Sequence, residues 1–99
     1  MPQFDVHRLA RSSGLVVDCQ SDLLSHIDSR FVVPLVRRGE APPPARRLNP
    51  SFTIEGEEYV MLTQTAAAVR RSELGPVVGS MAHRSLDITS AIDVLIGGV

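Results

Sequence analysis

The apolar residues change their period near the C-terminus, and that change limits the fold more than any other feature. Ile88, Ala91, Ile92, Leu95, Ile96 and Val99 fall at i, i+3, i+4, i+7, i+8 and i+11. That is the repeat of a helix with one apolar stripe. Asp87 near its start suits the positive end of the helix dipole. Ser80 or Ser85 offers an N-cap. Gly97-Gly98 ends the helix, because glycine inside a helix costs about 1 kcal/mol against alanine.

The chain before residue 80 reads as short extended pieces. Gln3 to Leu9 alternates Phe4 and Val6 with Gln3, Asp5 and His7, the period of a half-buried strand. Arg11-Ser-Ser-Gly14 is a turn. Leu15, Val17 and Cys19 share one strand face, with Val16 and Asp18 on the other. Gln20 to Ser29 is a polar loop or a single helical turn carrying Leu23, Leu24 and Ile27. Arg30 to Val36 is a third strand. Pro34 cannot donate to a ladder, so a free edge or a bulge is expected there. Pro42 to Pro44 preclude a helix or a central strand and make residues 37–50 a stiff extended connector. Phe52 to Leu62 is the clearest hairpin, turning at Glu55-Gly56-Glu57 with Gly56 supplying positive φ. Thr63 to Val69 and Leu74 to Val78 add short extended pieces. Many short strands followed by one helix predict a small, mostly antiparallel barrel or sheet with the helix laid upon it.

A length of 99 residues fits one domain, 1–99, and the formal net charge of −1 is ordinary for a globule. Hydrophobic residues at 43% exclude disorder along the whole chain. Balanced charge argues against a purely electrostatic nucleic-acid binder. The apolar stretches are too short for a membrane span, and the opening residues lack the regions of a signal peptide. The expectation is a cytoplasmic protein.

The sequence makes no positive case for catalysis. Cys19 sits in an apolar strand-like run and reads as a small buried hydrophobe rather than a nucleophile. His7, His26 and His83 show no metal-ligand spacing, so no metal or cofactor is expected. Paired carboxylates can serve acid–base chemistry; Asp18 and Asp22 lie four apart in a strand-to-loop region, and Glu55, Glu57 and Glu58 crowd a hairpin tip that reads as solvated. An endoribonuclease needs little more than an arginine and a hydroxyl converging in a groove. Arg30 with Thr63 or Ser29 are the candidates for that chemistry.

Several stretches taken together resemble the CcdB family, the toxin halves of bacterial toxin–antitoxin modules. They are Gln3-Phe4, the run Val17-Asp-Cys-Gln-Ser-Asp-Leu-Leu24, Arg30-Phe-Val-Val-Pro-Leu35, Tyr59-Val-Met-Leu-Thr-Gln64, and His83-Arg84 followed by Ala91-Ile-Asp-Val-Leu-Ile96. They occur in order and at compatible spacing from residue 3 to the end. The resemblance implies a mostly β fold: an SH3-like barrel-type antiparallel sheet, a small extra sheet and a C-terminal α-helix. It implies a symmetric homodimer that poisons DNA gyrase by binding its A subunit and trapping the cleaved-DNA complex, without covalent chemistry. It implies a cognate CcdA-like antitoxin that reverses the poisoning and joins the toxin on operator DNA.

Carried over by residue, the gyrase-facing surface comprises Gln3, Phe4, Ser21, Leu23, Leu24, Asp93, Gly97, Gly98 and Val99. Leu23 and Leu24 read equally well as core. The antitoxin-facing loop comprises Arg8, Leu9, Arg11, Ser12 and Ser13. One departure stands out. Relatives end in Trp-Gly-Ile and grip gyrase through that Trp, whereas Gly97 occupies its place here. Either other contacts carry the target, or the complex is weak, or the target differs. Two rival functions follow: an endoribonuclease of the MazF type on the same barrel, and a non-toxic homologue that only binds antitoxin.

Overall fold

The computed structural model describes residues 2–98. Strands β1 (Asp5–Leu9) and β2 (Leu15–Asp18) form a hairpin, and β3 (Ser29–Arg37) returns beside β2. Strands β4 (Ser51–Ile54) and β5 (Glu57–Met61) form a second hairpin, followed by β6 (Ala67–Arg70) and β7 (Leu74–Ser80). Helix α1 (Ser85–Gly97) closes the chain. Every pairing is antiparallel, in the order β4-β5-β3-β2-β1-β7, with β6 also on β3. The fold is the mostly β, curled half-barrel sheet with a C-terminal helix that the sequence led us to expect. No described helix is long and apolar enough to cross a membrane.

The curl buries both faces of β2. Leu15, Val17 and Cys19 face the main core with Phe4, Val33, Phe52, Met61, Ile88 and Ala91. Val16 faces a second cluster with Val32 and Leu74, bordered by Leu9 and Val69. Pro34 lies within a central strand, and its missing donor is still accounted for. On the side away from β2, β6 pairs with Ser29 to Val32 and β5 pairs with Leu35 to Arg37. Pro34 falls in the gap between those two partners, where its carbonyl accepts from Leu62 N at 2.9 Å. The expected edge is thus a change of partner.

The β4–β5 turn carries positive φ at both Glu55 (52°) and Gly56 (81°), as a two-residue mirror-image turn requires. Gly98 takes the left-handed conformation at φ 75° and closes α1 by donating to Val94 O. The first turn of α1 carries Asp87 as expected, and Asp87 accepts from Arg84 Nε at 2.7 Å.

Four local expectations are corrected. The strand predicted from Gln3 begins only at Asp5: Gln3 and Phe4 form a turn, and Phe4 at φ 71° swings its ring into the core. His7, placed on the polar face, is buried, with Nδ1 3.1 Å from Gly75 O at irregular register between β1 and β7. Thr63–Thr65 is a 3-10 turn rather than extended, because the amides of Thr65 and Ala66 bond back to Leu62 and Thr63. Neither Ser80 nor Ser85 caps α1: Ser80 Oγ caps the preceding turn at Ala82 N, and Ser85 is already helical. The connector expected over 37–50 starts one residue later, since Arg37 ends β3 and pairs with Tyr59; beyond the 3-10 turn at Arg38–Glu40 the chain runs without strand to residue 50.

Candidate binding surface

The surface is rooted in a buried ion pair. Asp18, the last residue of β2, faces Arg30 on β3, and both side chains are wholly buried. Arg30 Nε and Nη2 meet Asp18 Oδ2 at 2.9 and 2.8 Å. Asp18 Oδ1 accepts from Gln20 N at 3.1 Å, turning the chain out of the strand. The Asp18 carbonyl accepts from Phe4 N at 2.6 Å, fixing the N-terminal turn alongside. A buried charge pair stabilises little net, but it holds geometry, since either partner alone would be very costly to bury.

Above this root the loop is tied by side chains. Gln20 Oε1 accepts from Phe31 N at 2.9 Å, and its Nε2 donates to Leu24 O at 3.2 Å. Ser21 Oγ accepts from Leu23 N at 3.2 Å, capping the 3-10 turn Asp22–Leu24. Asp22 Oδ1 accepts from Gln3 N at 2.8 Å, and Gln3 Nε2 donates to Cys19 O at 3.0 Å. Gln3, Ser21, Leu23 and Leu24 are therefore gathered into one patch.

The core reading of the two leucines is overturned. Leu23 is 87% and Leu24 44% exposed, because polar contacts from Gln20, Ser21 and Asp22 turn them outward. Phe4 belongs to the core, so it supports the patch from beneath. Asp93, Gly97 and Gly98 are exposed at the far end of α1. Val99 lies outside the described residues. The helical stripe is only half used: Ile88 and Ala91 are buried, whereas Ile96 is 79% exposed.

Arg8, Leu9, Arg11, Ser12 and Ser13 form the β1–β2 turn and its approach. Arg8 Nη1 donates to Ser13 O at 3.2 Å, and Ser12 Oγ accepts from Gly14 N at 3.1 Å. Arg11, Ser12 and Ser13 are exposed. Beside them lies a groove of about 530 Å³, walled by Arg8, Ser13, Arg37, Glu55, Glu57 and Tyr59. Arg37 Nε meets Glu57 at 2.9 Å, and the guanidinium is held still more firmly charged by its hydrogen bond with Tyr59 and then by Glu57.

The catalytic candidates are not brought together. Arg30 is consumed by Asp18, and buried Thr63 donates through Oγ1 to Leu48 O, so neither opens into a groove. Asp22 is exposed and bonded to Gln3 N, apart from buried Asp18 in role. The Cys19 thiol is pushed up to about 12, first by burial and then by the Asp18 carboxylate, which makes it a poor nucleophile. Among the described residues no group of three or more His, Cys, Asp or Glu could hold a metal ion.

Gln20 was missed as a determinant of the patch, because a carboxamide in a polar run carries no periodic signal. The family model described as CcdB protein matches residues 3–98, nearly the whole chain.

Proposed function

The chain belongs to the CcdB family, toxins of toxin–antitoxin systems, and from that premise we propose that it is a non-enzymatic poison of DNA gyrase. In this reading it binds the gyrase A subunit and traps the cleaved-DNA complex. The observation that carries the reading is Leu23, 87% exposed on a loop held by hydrogen bonds of the Gln20, Ser21 and Asp22 side chains. A leucine so presented contributes about 1.5–3 kcal/mol when a partner covers it. Gln3, Ser21 and Leu24 flank it, and Asp93, Gly97, Gly98 and Val99 supply a second contact from the helix end. Two copies related by a two-fold axis present both contacts twice, which suits a symmetric target. The homodimer also covers the exposed apolar residues of α1.

The antitoxin engages the turn Arg8, Leu9, Arg11, Ser12 and Ser13, and with the toxin it represses its own operon. Gly97 favours a second reading, an antitoxin-binding homologue without toxicity, because glycine offers no anchor where an aromatic residue would supply about 2 kcal/mol or more. Supercoiling by purified gyrase separates the readings. A poison halts it and leaves linear, cleaved DNA on denaturation. Antitoxin binding with undisturbed supercoiling selects the second reading. RNA cleavage with undisturbed supercoiling rejects both.

A further inference from the structure

Arg71 is used by nothing described so far, yet it gathers the far limb of the Leu23 loop. It opens the 3-10 turn Arg71–Glu73 between β6 and β7. That turn is a fixed platform: Glu73 Oε2 accepts from Arg70 N at 2.8 Å, and the Glu73 carbonyl accepts from Ala10 N at 2.9 Å. From the platform Arg71 N donates to Asp28 O at 3.1 Å. Its Nη2 donates to the carbonyls of Ser25 and Ile27, the latter at 3.2 Å. Arg71 Nε is buried without a hydrogen-bond partner among the described residues. Arg71 is thus half-buried against the loop, with Nε covered and Nη2 turned to two loop carbonyls 46 and 44 positions away in sequence.

The two limbs of the loop are held differently. Gln20, Ser21 and Asp22 tie the first limb to β2, β3 and the N-terminal turn. The second limb, Ser25 to Asp28, is bound to the rest of the fold through Arg71 alone among the hydrogen bonds seen for the described residues. Leu23 and Leu24 lie between the limbs, so their direction depends on both. We infer that Arg71 is a positioning residue: it fixes the loop in the form that presents Leu23 and Leu24 to a target. This rests on the reading above that the loop meets gyrase. Charge-assisted bonds to carbonyls are the stronger class of hydrogen bond, and a pre-ordered loop binds without the entropy cost of ordering at the encounter.

Arg71→Met keeps the stem and deletes the donors, and Arg71→Lys restores one nitrogen able to reach both carbonyls. Amide exchange is followed at Leu24 and Ile27 in the loop and across β3 in the core, alongside titration of the gyrase A subunit. Arg71→Met speeds loop exchange and weakens binding, each by about tenfold, as expected for losing one or two charge-assisted hydrogen bonds. The β3 amides stay as in the parent, and Arg71→Lys recovers most of both losses. Should Arg71→Met lose its fold, Arg71→Gln, too short to span both carbonyls, gives the same loosening. Unchanged loop exchange overturns the inference, and so does a loosened loop that binds as tightly as the parent. A parent chain that ignores gyrase sinks the functional reading, while loop exchange still decides whether Arg71 positions the loop.

Discussion

Two irregular segments, one of nine residues and one of thirteen, leave the sheet, and they are built to opposite ends. Residues 20–28 and residues 38–50 are each steadied by a carboxamide, Gln20 in the first and Asn49 in the second. Asn49 Nδ2 donates to Met61 O at 2.9 Å and to Gln64 Oε1 at 2.7 Å, while its Oδ1 accepts from Ala45 N at 2.9 Å. The second segment turns Pro42 to Pro44, Arg46 and Arg47 to solvent, a surface with little to gain from being covered. The first turns Leu23, Leu24 and Ile27 outward over the buried Asp18–Arg30 pair and Arg71. A loop that only connects has no need of charge buried beneath it or of leucine in water. Polar anchors inside and apolar groups outside are the reverse of ordinary burial, and they support the proposal that this surface meets a partner.

Breaking the root of the first segment has the largest effect. Asp18→Ala leaves the Arg30 charge buried without its carboxylate and lowers stability by about 3–5 kcal/mol, read as a shift in the urea midpoint. Asn49→Ala strikes the second segment and costs less, about 1–3 kcal/mol for the unsatisfied main-chain groups. Its folded fraction keeps full binding to the target, which sharpens the contrast between the segments.

Cys19, buried in the core just before the first segment and bonded through its carbonyl to Gln3 Nε2, gives an effect confined to alkaline pH. The folded thiol, at about 12 against an ordinary 9.0, holds its proton more tightly than the unfolded one. Stability from this group is complete below pH 9.0 and declines as pH rises toward about 12. Denaturant titrations across that window show the decline in the parent, and Cys19→Ala removes it.

Much of this contrast was legible in the residues. The apolar periods placed the strands and α1, Gly56 marked its turn, Gly98 the helix end, and Pro42 to Pro44 the connector. Pairing across the sheet was not legible. Asp18 and Arg30 are 12 residues apart and look like separate surface charges until register sets them face to face. The same holds for Arg71, whose carbonyl partners are set by where β6 meets β3. Leu23 and Leu24 read as core or surface alike, because side-chain hydrogen bonds, rather than a hydrophobic period, decide which way a short turn faces. His7 was misplaced because the curl of the sheet buries β1 on both sides.

Leu23→Asp tests the central claim most directly. The residue is exposed, so the account predicts an unchanged urea midpoint together with at least about a tenfold loss of affinity for the gyrase A subunit, the scale of a hot-spot residue. Parent-like affinity in a folded Leu23→Asp protein would contradict it.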